Sequence, residues 1–191
     1  MNLPNKLTML RVLLVPVFMV FAAFGKYGTA DYNATCMLVA GIVFAVASFT
    51  DFLDGYLARK YHLVTDFGKF MDPLADKCLT TAAFIYMVAD GICSPVVLAI
   101  ILFREFAVAG VRMIAAESGT VIAANMWGKV KTVLQMLTII FYYFAAALSG
   151  PTDVMGVGLI TVVLTWLVAA ATLLSGGIYL WQNRSYFMQA K

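Results

Sequence analysis

Apolar stretches of roughly twenty residues, separated by short polar breaks, run the length of this chain. The first extends from Leu7 to Phe24. The second runs from Ala34 to about Ala58 and ends in charge. Phe70–Asp90, Ser94 to about Glu117, Ala124–Leu148 and Met155–Trp181 complete the series. A helix of about 20 apolar residues crosses a bilayer, and a spanning helix satisfies its own backbone hydrogen bonds. The pattern predicts an all-α polytopic membrane protein with six transmembrane helices. It forms a single domain over residues 1–191, since no repeat, low-complexity tract or linker divides it. Just before the first stretch, Asn5, Thr8 and Arg11 recur every third residue on one helical face. Pro4 suits a helix start there, and Asn2 a cap. Gly150-Pro151-Thr152-Asp153 reads as the turn before the last span, and Gly176-Gly177 within that span as a kink or a point of close helix packing.

Composition narrows the picture. Hydrophobic residues make up 63% of the chain and charged residues 12%, about half the usual quarter for a soluble domain. A large soluble domain is excluded, and nucleic acid is not an expected partner. With both termini on one side, twelve of the thirteen basic residues fall on that side and only Lys26 falls opposite. Short loops rich in Lys and Arg stay in the cytoplasm. Both termini, and most of the polar chemistry, are therefore expected at the cytoplasmic face of the cell membrane. The three cysteines, Cys36, Cys78 and Cys93, lack CxxC spacing and read as small apolar packing residues. His62 and Asp66 read as loop or helix-start residues, and Trp127 and Trp181 as interface anchors.

Charges that intrude on apolar helices cost several kcal/mol unless paired, hydrated or metal-bound. Asp51 and Asp54 lie three apart, about 60° around a helix, with Gly55 and Ala58 extending the stripe almost without side chain. On the next helix Gly68, Asp72 and Asp76 recur at four-residue spacing. Four carboxylates converging in low dielectric repel one another unless a cation sits among them. Oxygen donors without His or Cys suit Mg²⁺ or Mn²⁺. The plainer reading is a set of helix caps and ion pairs with Arg59, Lys69 and Lys77; the paired spacing favours metal.

Asp51-Phe-Leu-Asp54-Gly55-Tyr-Leu-Ala58-Arg59, eight residues, then Gly68-Lys-Phe-Met-Asp72-Pro-Leu-Ala-Asp76 match D-x2-D-G-x2-A-R-x8-G-x3-D-x3-D without a departure. On this motif the chain resembles the CDP-alcohol phosphotransferase family. The likeness extends through Asn2–Arg11, Arg104-Glu105 and Gly128–Thr132. It is greatest to bacterial members that join CDP-diacylglycerol to glycerol 3-phosphate and release CMP, in glycerophospholipid synthesis. The resemblance implies that Asp51, Asp54, Asp72 and Asp76 hold two divalent ions, with Asp76 the general base on the incoming hydroxyl. Gly55 and Ala58 would leave room for cytidine and its ribose, and Arg59 would touch a phosphate. A short N-terminal amphipathic helix would cover the nucleotide, contributing Thr8 and Asn5. A homodimer in the bilayer is implied as well.

An acceptor that carries a phosphate needs cations. Arg104 and Arg112 on the fourth helix, with Lys129 and Lys131 beside Gly128 at the start of the fifth, are the candidates for that pocket. Glu105 is expected to pair with Arg104 or Arg112. Lysines at a helix end otherwise snorkel to headgroups. Other acceptors, inositol phosphate or serine, would use the same chemistry. A divalent-cation transporter would instead need carboxylates in both halves of the membrane, and a lipid-binding scaffold would need no set of four acids. The lipid substrate requires a cavity that opens sideways between helices near the carboxylates.

Overall fold

A computed structural model describes residues 3–26, 33–60, 66–117, 126–149 and 157–184; of these, the side chains of 3–6, 26, 52–60, 66–73, 117, 149 and 157 lie outside the description. Six helices follow one another: α1 Leu3–Lys26, α2 Ala34–Lys60, α3 Asp66–Ala89, α4 Pro95–Glu117, α5 Met126–Ser149 and α6 Val157–Gln182. No strand occurs among the described residues. The polar segment that was expected as a separate amphipathic helix is instead the opening of α1, with no break before the apolar run. α3 starts a turn earlier than the apolar run at Phe70, at Asp66, because an acid is favoured at a helix N-terminus.

Local chemistry sets the ends. Asn33 caps α2, its Oδ1 accepting from the Cys36 N–H at 3.1 Å. α3 ends where Gly91 adopts a left-handed φ of 77°. The Ile92 N–H then reaches the Met87 carbonyl at 3.1 Å and the Gly91 N–H the Val88 carbonyl at 2.9 Å, a Schellman turn. Ser94 and Pro95 start α4, with the Val96 N–H on Ser94 Oγ at 3.3 Å.

α1 packs along α2 and α3, α2 on α5, and α6 against both α4 and α5. At the centre Phe18 meets Phe44, Tyr143 and Tyr86 edge-on at centroid separations of 5.9, 5.2 and 6.4 Å. Buried hydroxyls of Thr138, Thr165, Thr172 and Ser175 donate to carbonyls three or four residues back in their own helices. None of those four therefore offers an unmet donor to lipid. The outer faces are apolar: Leu13, Phe103, Phe106, Met113, Leu148 and Trp181 are all exposed. In water such a surface would aggregate; against lipid it is what a multi-pass membrane protein presents. Leu7–Gly25, Ala34–Asp51, Met126–Leu148 and Gly158–Gln182 are long and apolar enough to cross a membrane. α3 and α4 are nearly as long, with 24 and 23 residues, but carry the charges that form the site.

Candidate active site

Successive helices alternate in direction, so the starts of α1, α3 and α5 meet the ends of α2, α4 and α6 at one end of the bundle. There a cavity of about 390 Å³ is lined by Asp51 of α2, Asp76 and Lys77 of α3, Arg104, Glu105 and Arg112 of α4, Lys129 and Thr132 of α5, and Tyr179 of α6. The fold thus brings carboxylates from α2, α3 and α4 together with cations from α3, α4 and α5.

Asp51 is held from α1. The Arg11 guanidinium lies 2.6 Å from its Oδ1, and the arginine side chain is 1% exposed. A buried cation of this kind is tolerable only beside a countercharge. Asp76 faces the charges of Asp51, Arg11, Glu105 and Lys131. Glu105 gathers the cations: Lys131 Nζ donates to Oε1 at 2.6 Å, Arg104 Nη1 lies 3.1 Å from the same oxygen, and Lys77 Nζ lies 3.7 Å from Oε2. Glu105 was expected to pair with Arg104 or Arg112; it pairs with Arg104, and with Lys131 as well. Arg112 donates from Nε to the Tyr179 hydroxyl at 3.3 Å and stacks over that ring. Lys129 is exposed and lines the cavity. Two polar atoms of the cavity wall, Ser48 Oγ and Arg104 Nε, are buried and meet no hydrogen-bond partner among the described residues. Such groups cost about 1–3 kcal/mol each unless something supplies the missing partner.

A second cavity of about 540 Å³ adjoins the first. Val15, Met19, Leu74, Ile85, Leu102 and Phe106 give it apolar walls, and Asp76, Lys77, Glu105, Lys131 and Thr132 close its polar end. Asp76, Lys77, Glu105 and Thr132 therefore line both spaces.

Of the residues singled out from sequence, Asp51, Asp76, Arg104, Arg112 and Lys129 come together around the polar cavity, and Lys131 adjoins it through Glu105. Thr8 is buried three residues before Arg11 and is not among the residues lining the two cavities. The side chains of Asn5, Asp54, Gly55, Ala58, Arg59 and Asp72 lie outside the described residues. Among the described residues no group of three or more acids, cysteines or histidines is arranged closely enough to hold a metal ion. Arg11, Ser48, Lys77 and Tyr179 were not singled out for the site. Arg11 carried a signal, a charge in phase with Thr8 at the edge of an apolar run; Ser48 and Tyr179 carried none, since isolated hydroxyls are ordinary in such helices.

Comparison with known proteins gives a consistent picture. A family model described as CDP-alcohol phosphatidyltransferase matches residues 1–174. A CDP-diacylglycerol–glycerol-3-phosphate 3-phosphatidyltransferase of Bacillus subtilis is 46% identical over 143 residues, covering 72% of this chain and 74% of the relative. Its counterpart by name in Rickettsia felis is 34% identical over 188 residues, 97% of each chain. A probable phosphatidylglycerophosphate synthase of Mycobacterium tuberculosis is 40% identical over 156 residues, 82% of this chain and 71% of the relative.

Proposed function

Because this chain belongs to the CDP-alcohol phosphatidyltransferase family, we propose that it transfers the phosphatidyl group of CDP-diacylglycerol to glycerol 3-phosphate, giving phosphatidylglycerol phosphate and CMP. The observation that carries this reading is that Asp76 lines both the polar cavity and the apolar cleft. A lipid diphosphate and a water-soluble alcohol can meet only where an apolar space and a polar one share a wall.

In this reading the acyl chains enter sideways along Leu74, Ile85 and Phe106 while the diphosphate reaches the carboxylate end. Glycerol 3-phosphate enters the polar cavity from the cytoplasm, its phosphate facing Arg104, Arg112 and Lys129. The orphaned Arg104 Nε donor would gain a phosphate oxygen there. Lys131 is committed to Glu105 and acts by fixing that wall. The acceptor hydroxyl attacks the phosphorus that bears the diacylglycerol. Its new O–P bond forms as the P–O bond to CMP breaks, CMP departs with the electron pair, and the hydroxyl proton passes to Asp76. Among the described lining residues of the polar cavity there is no Cys or His, and the hydroxyl of Ser48 hydrogen-bonds to no base that would activate it as a nucleophile.

The carboxylate donors of the polar cavity, with neither His nor Cys among its described lining residues, fit hard divalent cations. Asp51 and Asp76, with Asp54 and Asp72 a turn away on α2 and α3, would hold two such ions, Mg²⁺ or Mn²⁺. When bound, these ions would neutralise charge on the diphosphate and on departing CMP. Gly55, Ala58 and Arg59 are assigned to the nucleotide on the family motif, and Asn5 and Thr8 on the likeness of the N-terminal segment to the family. The six apolar runs support six crossings, the placement of the basic residues supports a cytoplasmic site end, and the homodimer rests on the family likeness alone.

Purified protein supplied with CDP-diacylglycerol and Mg²⁺ should release CMP with glycerol 3-phosphate, and not with inositol phosphate or serine, and EDTA should stop it. Asp76→Asn should lower kcat about a hundredfold or more in protein that stays folded. Release with another alcohol would overturn the acceptor; full activity of Asp76→Asn would overturn the base.

A further inference from the structure

Arg104 reaches the polar cavity by an unusual path. Its stem runs between α4 and α6, so that the residue lines both an apolar groove between those helices and the polar cavity. At the crossing point α6 carries Gly176, which is buried. A Cβ on Gly176 would lie 2.8 Å from Arg104 Cγ and 3.9 Å from its Nε. Carbons in contact sit about 3.5–4.0 Å apart, and Cγ is too near the backbone to swing clear while the guanidinium stays on Glu105. The neighbouring Gly177 makes the comparison internal to the helix: a Cβ there meets nothing within 4 Å.

We propose that Gly176 is a positioning residue for the acceptor site: by carrying no side chain it lets the Arg104 stem cross α6 and aim its guanidinium into the polar cavity. A methyl group at 176 would turn Arg104 off Glu105 and towards the apolar groove, or push α6 from α4. This rests on Arg104 belonging to the acceptor site, as proposed above. Glu105 would keep Lys131 and Lys77, so the wall itself would survive.

The test is a double-mutant cycle on steady-state kinetics with both substrates varied. Gly176→Ala should raise KM for glycerol 3-phosphate about tenfold, with kcat and KM for CDP-diacylglycerol within about twofold, as loss of uniform binding requires. Gly177→Ala should match the wild type. In an Arg104→Ala background, where Cγ is gone, adding Gly176→Ala should change KM by less than about twofold, since the two changes act on one contact. A Gly176→Ala enzyme with wild-type kinetics beside an impaired Arg104→Ala enzyme overturns the Gly176 inference alone. Equal effects of Gly176→Ala in both backgrounds overturn it too, by showing plain helix packing. An unchanged KM for glycerol 3-phosphate in Arg104→Ala overturns the acceptor assignment itself. Should Gly176→Ala yield little folded protein, the same cycle read as folded protein recovered in detergent decides: recovery in the double variant supports the inference, and persistent loss overturns it.

Discussion

Glu105 holds three cations on one carboxylate, with Lys131 at 2.6 Å, Arg104 at 3.1 Å and Lys77 at 3.7 Å. Its acid is what makes so much positive charge tolerable at the edge of an apolar bundle. The two lysines of α5 show how a side chain's fate follows helix phase. Lys129 and Lys131 are two residues apart, hence on nearly opposite faces. Lys129 is exposed in the cavity mouth, whereas Lys131 is 3% exposed and bonded inward. The general expectation that a lysine near a helix end snorkels outward therefore fails for Lys131, because a buried acid lies within reach. Glu105→Ala should leave Lys131 buried without its countercharge. With the Glu105 side chain one-fifth exposed, the expected loss is on the order of 2–3 kcal/mol. It should be read as a lower melting temperature in detergent together with weaker saturation by glycerol 3-phosphate. An unchanged melting temperature would contradict this account of the cluster.

α5 and α6 deliver Lys129 and Tyr179 from near their ends, whereas Arg104 and Glu105 sit mid-way along α4. α1 contributes Arg11 to Asp51 of α2, a link between the two elements that open the chain. Arg11→Ala should free the end of α2 and cost about 2 kcal/mol, moderated because Asp51 keeps one-third of its exposure; a melting curve without divalent ion checks it, and no change would mean that the pair is incidental. The six elements were legible as apolar runs, since hydrophobic length is the dominant signal in a chain of this composition. Their starts were less so. α3 begins at Asp66 and α1 at Leu3, outside the runs, because helix starts are set by caps and dipoles, while the runs mark only the apolar core of the membrane. Asp51 and Asp76 stood out because charge is so scarce in apolar helices, and both line the polar cavity, while the side chains of Asp54 and Asp72 lie outside the description. Arg11's burial, the Arg112–Tyr179 contact and the Ser48 hydroxyl in the cavity wall were not legible, since each depends on which helices become neighbours, and spacing along one helix does not encode that.

The assembled bundle has an apolar exterior, one charged end, and two cavities that share Asp76, Lys77, Glu105 and Thr132. The described acids outside this end include Asp90, which accepts from the Tyr142 hydroxyl at the far end of α3. That distribution gives a transporter no ladder of carboxylates among the described residues, while the shared lining gives the proposed reaction centre two approaches. Cys78 lines only the apolar cleft and Arg112 only the polar cavity, so substitutions at these two positions separate the routes. The decisive measurement is therefore KM for each substrate in Cys78→Trp and Arg112→Ala. Two routes to one centre predict that Cys78→Trp raises KM for CDP-diacylglycerol several-fold and spares glycerol 3-phosphate, about the effect of overpacking a snug apolar site. Arg112→Ala should do the reverse, about tenfold or more for a phosphate contact. If both variants shift the same substrate, or if the effects are exchanged, the arrangement of one centre fed by lipid from the side and by alcohol from the cytoplasm is wrong.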